Sequence, residues 1–114
     1  MPETDGVELR GRPGFWLRID SDGFTMKYLL TRSRFEWSDV KGEFWISGPY
    51  VAFNVAEDAA ARSSRRLRGA FAMQQKSFGF DAGIQASSYR VKPEALADLL
   101  NDWKSRAEAR AAPS

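Results

Sequence analysis

Polar and apolar residues alternate along two neighbouring segments near the start of the chain. In residues 15–20, FWLRID, Phe, Leu and Ile alternate with Trp, Arg and Asp, and residues 24–30, FTMKYLL, begin with the same period of two. This period is typical of a β-strand that packs one face against a core. The segment between them, SDG at 21–23, consists of residues that favour tight turns. The pattern therefore predicts a β-hairpin.

Three more short segments have the composition of strands: RFEW at 34–37, EFWI at 43–46 and YVAFNV at 50–55. The turn-forming pairs SD at 38–39 and GP at 48–49 separate them, so that turns recur at intervals of about 8–12 residues. Connections this short leave no room for a crossover helix between parallel strands. The sequence therefore predicts an antiparallel β meander of five or more strands.

The last long segment, YRVKPEALADLLNDWKSRA at 89–107, changes to a helical period. Pro93 suits the first turn of a helix, because its missing N–H would have no partner there. An amphipathic helix here would cover the core of the meander, and we expect the residues after Ala107 to fray. The apolar side chains recur at i, i+3, i+4 and i+7: Leu96, Leu99, Leu100 and Trp103.

Residues 57–76 lose the alternation and become rich in alanine and arginine. The acidic residues at 57–58 suit a helix N-terminus, where negative charge complements the helix dipole. The spacing predicts a second helix at about 58–76, with two further β-strands as the alternative, because two serines and a glycine inside it lower the helix propensity. Residues 77–91 are expected to be irregular.

A chain of 114 residues with 43% apolar residues is long enough to form one domain with its own core. Glycine, proline and charged residues dominate residues 1–13, which predicts a flexible N-terminal lead. The expected organisation is a single domain over 14–107, followed by a frayed tail over 108–114. The predicted fold class is α+β, a meander closed by a C-terminal helix.

The chain contains no cysteine and no histidine. Disulfides and thiolate metal sites are therefore excluded, and the commonest general base and metal ligand is missing. The acidic pair Asp20 and Asp22 is better explained by turn formation than by catalysis. No glycine-rich phosphate loop or nucleophile motif is present. We therefore expect no enzymatic activity and no cofactor or metal.

The first residues are polar and acidic, and they include no apolar region of the kind that signal peptides contain. No run in the chain approaches the roughly 18 apolar residues that a membrane-spanning helix needs. The sequence thus predicts a soluble, cytoplasmic protein without a transmembrane segment.

Three parts of the chain resemble a bacterial pleckstrin-homology-like (PH-like) family: the hairpin FWLRIDSDGFTM, the run FEWSDV at 35–40, and the tail FGFDAGIQASSYRVKPEALADLLNDWKSR from Phe78. The resemblance covers most of residues 15–106. It implies a curved β-sheet closed by a C-terminal helix, in a domain that binds proteins, peptides or lipid headgroups. Phosphoinositide-binding members of the wider superfamily carry basic residues around the first hairpin. The SDG turn is acidic here, so we do not expect headgroup recognition at that turn.

Arginines are concentrated in a segment that has no acidic residue between Ala59 and Phe80. At helical spacing they could bind phosphates or an acidic partner. The alternative is a solvated helix face whose arginines pair with nearby carboxylates. A protein or an anionic lipid surface fits this segment better than nucleic acid does. These residues, which we call the arginine segment, are Arg62, Arg65, Arg66 and Arg68.

Trp16 and Trp45 lie out of phase with their apolar neighbours, which predicts that they face outward. Two exposed tryptophans would mark an interface. The leading hypothesis is a non-catalytic interaction domain that binds a protein partner or its own copy through a sheet face or edge. The alternative is an anion-binding adaptor that uses the arginine segment against an anionic lipid surface or nucleic acid.

Overall fold

The computed structural model describes residues 6–57, 69, 72–73, 75–76 and 79–111. Within these residues an antiparallel meander of two sheets is followed by one long helix, so the predicted α+β class is confirmed. The elements are β1 (Gly6–Arg10), β2 (Phe15–Asp20), β3 (Gly23–Tyr28), β4 (Thr31–Glu36), a 3-10 turn (Trp37–Asp39), β5 (Val40–Ser47), β6 (Tyr50–Val55), β7 (Ala82–Gln85), a second 3-10 turn (Ala86–Tyr89) and α1 (Pro93–Ala111).

The first sheet contains β1, β2, β3 and β4 in chain order, each antiparallel to its neighbour. β2 and β3 form the predicted hairpin, in which Leu17 lies opposite Met26. Leu17 and Phe24 are fully buried, because they occupy the phase of the alternation that faces the core. A Cβ on Gly23 would lie 2.0 Å from the backbone oxygen of Phe35. Only glycine therefore allows β3 to begin this close to β4.

β1 lies inside the segment that the sequence predicted to be a flexible lead. Gly6–Arg10 pairs along its whole length with β2, and Val7 and Leu9 pack against the core. The prediction of a flexible lead is therefore wrong for these residues. Two apolar residues give too brief an alternation to stand out among glycines and charges. Pairing with β2 nevertheless satisfies the strand's backbone groups along one side.

The second sheet contains β5, β6 and β7 in that order. β5 and β6 include the strands predicted at 43–46 and 50–55, and the β5 register shifts between Lys41 and Trp45, which marks a bulge. β7 lies in the region that was expected to be irregular, so that prediction is wrong for Ala82–Gln85. Four residues that include a glycine are too few to show a period, and pairing with β6 is what makes them a strand.

An aromatic cluster joins the two sheets. Phe24 is completely buried, and its ring centroid lies 5.5–5.7 Å from the centroids of four other rings. Aromatic pairs at such distances contribute about 0.5–1.5 kcal/mol beyond the burial of their surface. The four partners come from both sheets and from the turn after β4: Phe35, Trp37, Phe44 and Phe53.

α1 packs against β5, β6 and β2 and closes one side of the core. Its predicted apolar stripe is confirmed, since Leu96, Leu100 and Trp103 are buried and Leu99 packs partly buried against the core. The helix begins at Pro93, at the position where a proline costs no hydrogen bond. No helix in the described part of the chain is both long and apolar enough to cross a membrane.

α1 continues to Ala111, past the fraying point expected at Ala107, so the frayed tail is wrong for these four residues. Lys104 pairs with Glu108 at 2.7 Å, which supports this last part of the helix. The Arg110 guanidinium donates a hydrogen bond of 3.0 Å to a carbonyl of the β2–β3 turn. Tertiary contact with the first sheet therefore extends the helix.

Asn101 connects α1 to the edge strand of the second sheet. Its side-chain oxygen accepts a hydrogen bond of 2.8 Å from the N–H of Phe44, and its amide nitrogen donates one of 3.0 Å to the carbonyl of Phe44. One side chain thus binds the backbone of β5 in the way that a neighbouring strand would. Because Phe44 is buried, these backbone groups have to be satisfied within the protein.

Most of the predicted second helix lies outside the described residues. The amide of Gly79 donates a 2.9 Å hydrogen bond to the carbonyl of Gln75, and Gly79 has a φ of +81°, as residues at helix C-termini often do. The positions that the structure describes within 57–76 have helical backbone: Glu57, Gly69, Ala72, Met73, Gln75 and Lys76.

Replacement of Asn101 by aspartate tests the link between α1 and β5. Asn101→Asp removes the donor to the Phe44 carbonyl and sets a carboxylate oxygen against it, so we expect a loss of about 2 kcal/mol in the free energy of unfolding. The neighbouring change Asp102→Asn is the control, because it only removes an exposed ion pair with Arg106, worth about 0–1 kcal/mol. Urea unfolding at neutral pH measures both. Equal losses would show that Asn101 does not hold the edge strand.

Candidate functional site

The structure describes two of the six site residues that the sequence predicted, Trp16 and Trp45. Trp16 lies on β2 and is half-buried, whereas Trp45 lies on β5 and is 38% exposed. The two tryptophans therefore belong to different sheets. The arginine segment lies outside the described residues, and its predicted role stays a prediction: Arg62, Arg65, Arg66 and Arg68.

The outer face of the first sheet carries a band of cations. Side chains alternate between the core and this face, so the neighbours of the buried Leu17 point outward. The register places Trp16 between Arg10 on β1 and Lys27 on β3. Lys27 in turn lies opposite Arg32 on β4. The next outward row adds two arginines, and we call this set the basic face: Arg10, Trp16, Arg18, Lys27, Arg32 and Arg34.

Only part of this positive charge is neutralised within the described residues. Arg10 pairs with Glu8 at 3.2 Å, and Arg34 pairs with Asp20 at 3.1 Å. The Arg10 pair is exposed and contributes only about 0–1 kcal/mol, so a ligand anion can displace Glu8 with little loss. Arg32 is exposed and forms no ion pair with any described residue. The basic face can therefore attract and bind anions.

Acidic side chains gather at the other end of the same sheet. Asp20 ends β2, Asp22 lies in the β2–β3 turn, and Glu36 ends β4. Asp20 is four residues from Trp16, which corresponds to roughly 13 Å along a strand. Asp22 and Glu36, together with Glu108 of α1, line a cleft of about 420 Å³. The first sheet thus has a basic end and an acidic end.

Asp20 organises the acidic end. Its carboxylate accepts hydrogen bonds from the N–H groups of Asp22 and Gly23 at 2.9 and 3.0 Å and binds the Arg34 guanidinium. Partial burial by itself would raise the pKa of Asp20, but Arg34 and the two N–H groups outweigh it and hold this pKa below its ordinary value. Asp20 therefore stays ionised and fixes both the turn and the position of Arg34.

The β3–β4 connection projects two leucines from the basic end of the sheet. Leu29 is 62% exposed and Leu30 is 101% exposed, and we call this pair the leucine tip. Leu29 has a φ of +58°, a left-handed conformation that bulky residues rarely adopt. Its N–H donates a 2.9 Å hydrogen bond to the carbonyl of Gly14, and its carbonyl accepts one from the Lys27 ammonium group. The tip is thus held against the β1–β2 loop while both side chains face solvent.

β5 also exposes two apolar side chains. Trp45 is 38% exposed and Ile46, the next residue, is 45% exposed. The sequence predicted that Trp45 faces outward, and alternation places Ile46 on the other face of the strand. The register pairs Ile46 with the buried Val51, so Ile46 lies on the same face as Phe44, but near the end of β5 its side chain stays largely exposed. Trp45 lies on the opposite face of the strand.

The basic face and the leucine tip are not evident from the sequence. The sequence shows that Trp16 faces outward and that β3 and β4 carry cations. It does not show the strand register that places these side chains next to one another. The exposed leucines resembled the end of a strand, because FTMKYLL ends in apolar residues. Among the described residues, no group of three or more acidic side chains is arranged to hold a metal ion.

The pH dependence of folding tests the role of Asp20. Because the pKa of Asp20 is lower in the folded protein than in the unfolded chain, its stabilisation is present above the ordinary aspartate pKa of about 3.9 and is lost as the pH falls through the folded value. We expect Asp20→Asn to lower stability by about 0.5–1 kcal/mol at pH 7 and to have a smaller effect near pH 3. Urea midpoints across this range measure it. An equal effect of Asp22→Asn, the control, would contradict the assignment.

Comparisons with protein-family models, with curated proteins and with solved structures found no match to this chain. What the site can do therefore follows from its own charges, exposures and geometry.

Proposed function

We propose that this chain is a non-catalytic, PH-like interaction module that binds an anionic partner through the basic face. The observation that carries the proposal is the cross-strand row in which Arg10, Trp16, Lys27 and Arg32 lie side by side on the outer face. An aromatic side chain among cations suits a ligand that offers both negative charge and a surface to pack against.

The support for a PH-like fold is the order of the elements. A four-stranded antiparallel meander precedes a three-stranded one, and a C-terminal helix packs against both. The FEWSDV run provides Trp37, whose indole N–H donates a 3.0 Å hydrogen bond to the carbonyl of Asp20. This tryptophan joins the β2–β3 turn to the segment that leads into the second sheet.

The charge asymmetry of the first sheet would orient the module on its partner. An anionic surface attracts the end that carries Arg10, Lys27 and Arg32 and repels the end that carries Asp22 and Glu36. Between exposed charges such attraction extends over about 8–10 Å at physiological ionic strength. The arginine segment remains a candidate for the same class of ligand, and its charge would add to the long-range attraction.

Charge reversal on the basic face tests the proposal. Arg32→Glu should weaken binding to anionic probes at least about fivefold, because each basic residue near an anionic surface contributes on the order of 1 kcal/mol. Lys41→Glu is the control, since Lys41 is also an exposed strand cation but lies on β5. The probes are labelled poly-glutamate, a labelled single-stranded DNA, and phosphatidylglycerol vesicles, each measured over a series of salt concentrations.

Two outcomes would contradict the proposal. One is that no probe binds the wild-type protein at low salt. The other is that Arg32→Glu and Lys41→Glu weaken binding equally, which would mean that only net charge matters. Binding that is selective for the basic face and declines with salt supports it.

The exposed side chains of β5 favour a second candidate function, association with another protein or with a second copy of the chain. As an edge strand, β5 exposes Trp45 on one face and Ile46 on the other, and exposed apolar side chains are a feature of interaction surfaces. We expect light scattering over a range of protein concentrations to show reversible dimers of the wild type, and Trp45→Ser to shift the midpoint to at least about tenfold higher concentration. A wild type that stays monomeric throughout would rule out self-association.

A further inference from the structure

We propose that the anionic partner is the surface of a lipid bilayer, and that the leucine tip inserts into its hydrocarbon while the basic end of the first sheet binds the headgroups. This inference rests on the proposed function and names its ligand. It assigns to Leu29 and Leu30 a role that neither the core nor the sheet gives them.

The leucine tip departs from the usual residue preferences of a tight turn at both of its positions. Tight two-residue hairpin turns with a positive φ at the first central position favour glycine there, whereas this chain has Leu29. Leu30, at the next position, leaves its whole side chain in water. Neither choice stabilises the folded monomer, since a left-handed leucine is strained and an exposed one gains no burial. Such a departure is explained if the side chains are buried when the protein is bound.

Cations surround the base of the leucine tip. Arg10, Lys27 and Arg32 lie in the cross-strand row next to the tip, and the exposed Arg12 lies in the β1–β2 loop to which Leu29 is hydrogen-bonded. Within the described residues, Arg12 and Arg32 form no ion pairs. Apolar side chains that project beyond a ring of cations match the layering of an anionic bilayer, where charged headgroups lie above hydrocarbon.

Tyr28, the last residue of β3 before the tip, also fits a bilayer interface. Tyr28 is 37% exposed, and its hydroxyl lies 3.3 Å from the Ser33 hydroxyl, so the ring is apolar and its end is polar. Aromatic rings of this kind are enriched at the level of lipid headgroups. Nucleic acid and acidic peptides would use the cations equally well, but neither offers a continuous hydrocarbon layer to two exposed leucines. Lipid is therefore the ligand that uses both parts of the site.

The test compares a ligand that has hydrocarbon with one that does not. Leu30→Ser should weaken binding to phosphatidylcholine vesicles containing phosphatidylglycerol roughly tenfold, because one leucine side chain no longer leaves water. The same variant should bind poly-glutamate as the wild type does. Ile46→Ser is the matched control, since it makes the same kind of change at an exposed aliphatic residue of the second sheet. Vesicle co-sedimentation and anisotropy measure the two ligands.

Leu29→Gly provides a second variant whose effects on folding and binding have opposite signs. Glycine adopts a positive φ without strain, so this variant should unfold at an equal or higher urea concentration than the wild type. It should nevertheless bind the vesicles more weakly. Loss of binding without loss of stability would exclude misfolding as the cause.

The outcomes separate this inference from the proposed function. If vesicles and poly-glutamate both bind, but Leu30→Ser and Leu29→Gly bind vesicles as tightly as the wild type, insertion is wrong and the anionic site stands. If single-stranded DNA binds more tightly than vesicles and neither leucine matters, the partner is nucleic acid and the lipid assignment is overturned. If Ile46→Ser weakens vesicle binding as much as Leu30→Ser, the tip has no special role. If no anionic probe binds at low salt, both proposals fail.

Discussion

The contact between Phe24 and four neighbouring rings is the interaction on which the rest of the structure depends. The two sheets share no strand pairing among the described residues, so ladder hydrogen bonds hold each sheet together but do not join one sheet to the other. Phe24 and Phe35 come from the first sheet, and Phe44 and Phe53 from the second. Each buried phenylalanine stabilises the fold by roughly 1.5–3 kcal/mol through burial. The aromatic cluster therefore holds the two sheets together, and α1 covers its remaining side.

This arrangement leaves the outer face of the first sheet free of packing against the core. The strands that direct Leu17, Phe24 and Phe35 into the cluster direct Trp16, Lys27 and Arg34 outward by the same alternation. Substitutions on one face can therefore alter binding without touching the packing of the other. A sheet with one apolar and one charged face needs no additional element to present a binding surface.

The parts of the fold that sequence reasoning predicted are those with a sustained period: the hairpin of β2 and β3, the strands β5 and β6, and the apolar stripe of α1. The sequence does not predict β1 and β7, because segments of four or five residues with few apolar side chains show no clear period. Only pairing with a neighbouring strand makes them strands. The candidate site could not be predicted from the sequence for a related reason. Attention to cations that are close in the chain selects the segment 62–68, whereas Arg10, Lys27 and Arg32 become neighbours only through a register that depends on the whole sheet.

The amide of Asn101 also bears on how the protein behaves at high concentration. β5 is an edge strand, and an uncovered edge is a template on which foreign strands can add and start aggregates. Asn101 occupies both hydrogen-bonding groups of Phe44 on that edge and so blocks the growth of a continuous intermolecular sheet at its centre. Asn101 therefore favours association at Trp45 and Ile46 through side chains over strand addition of the kind that builds amyloid.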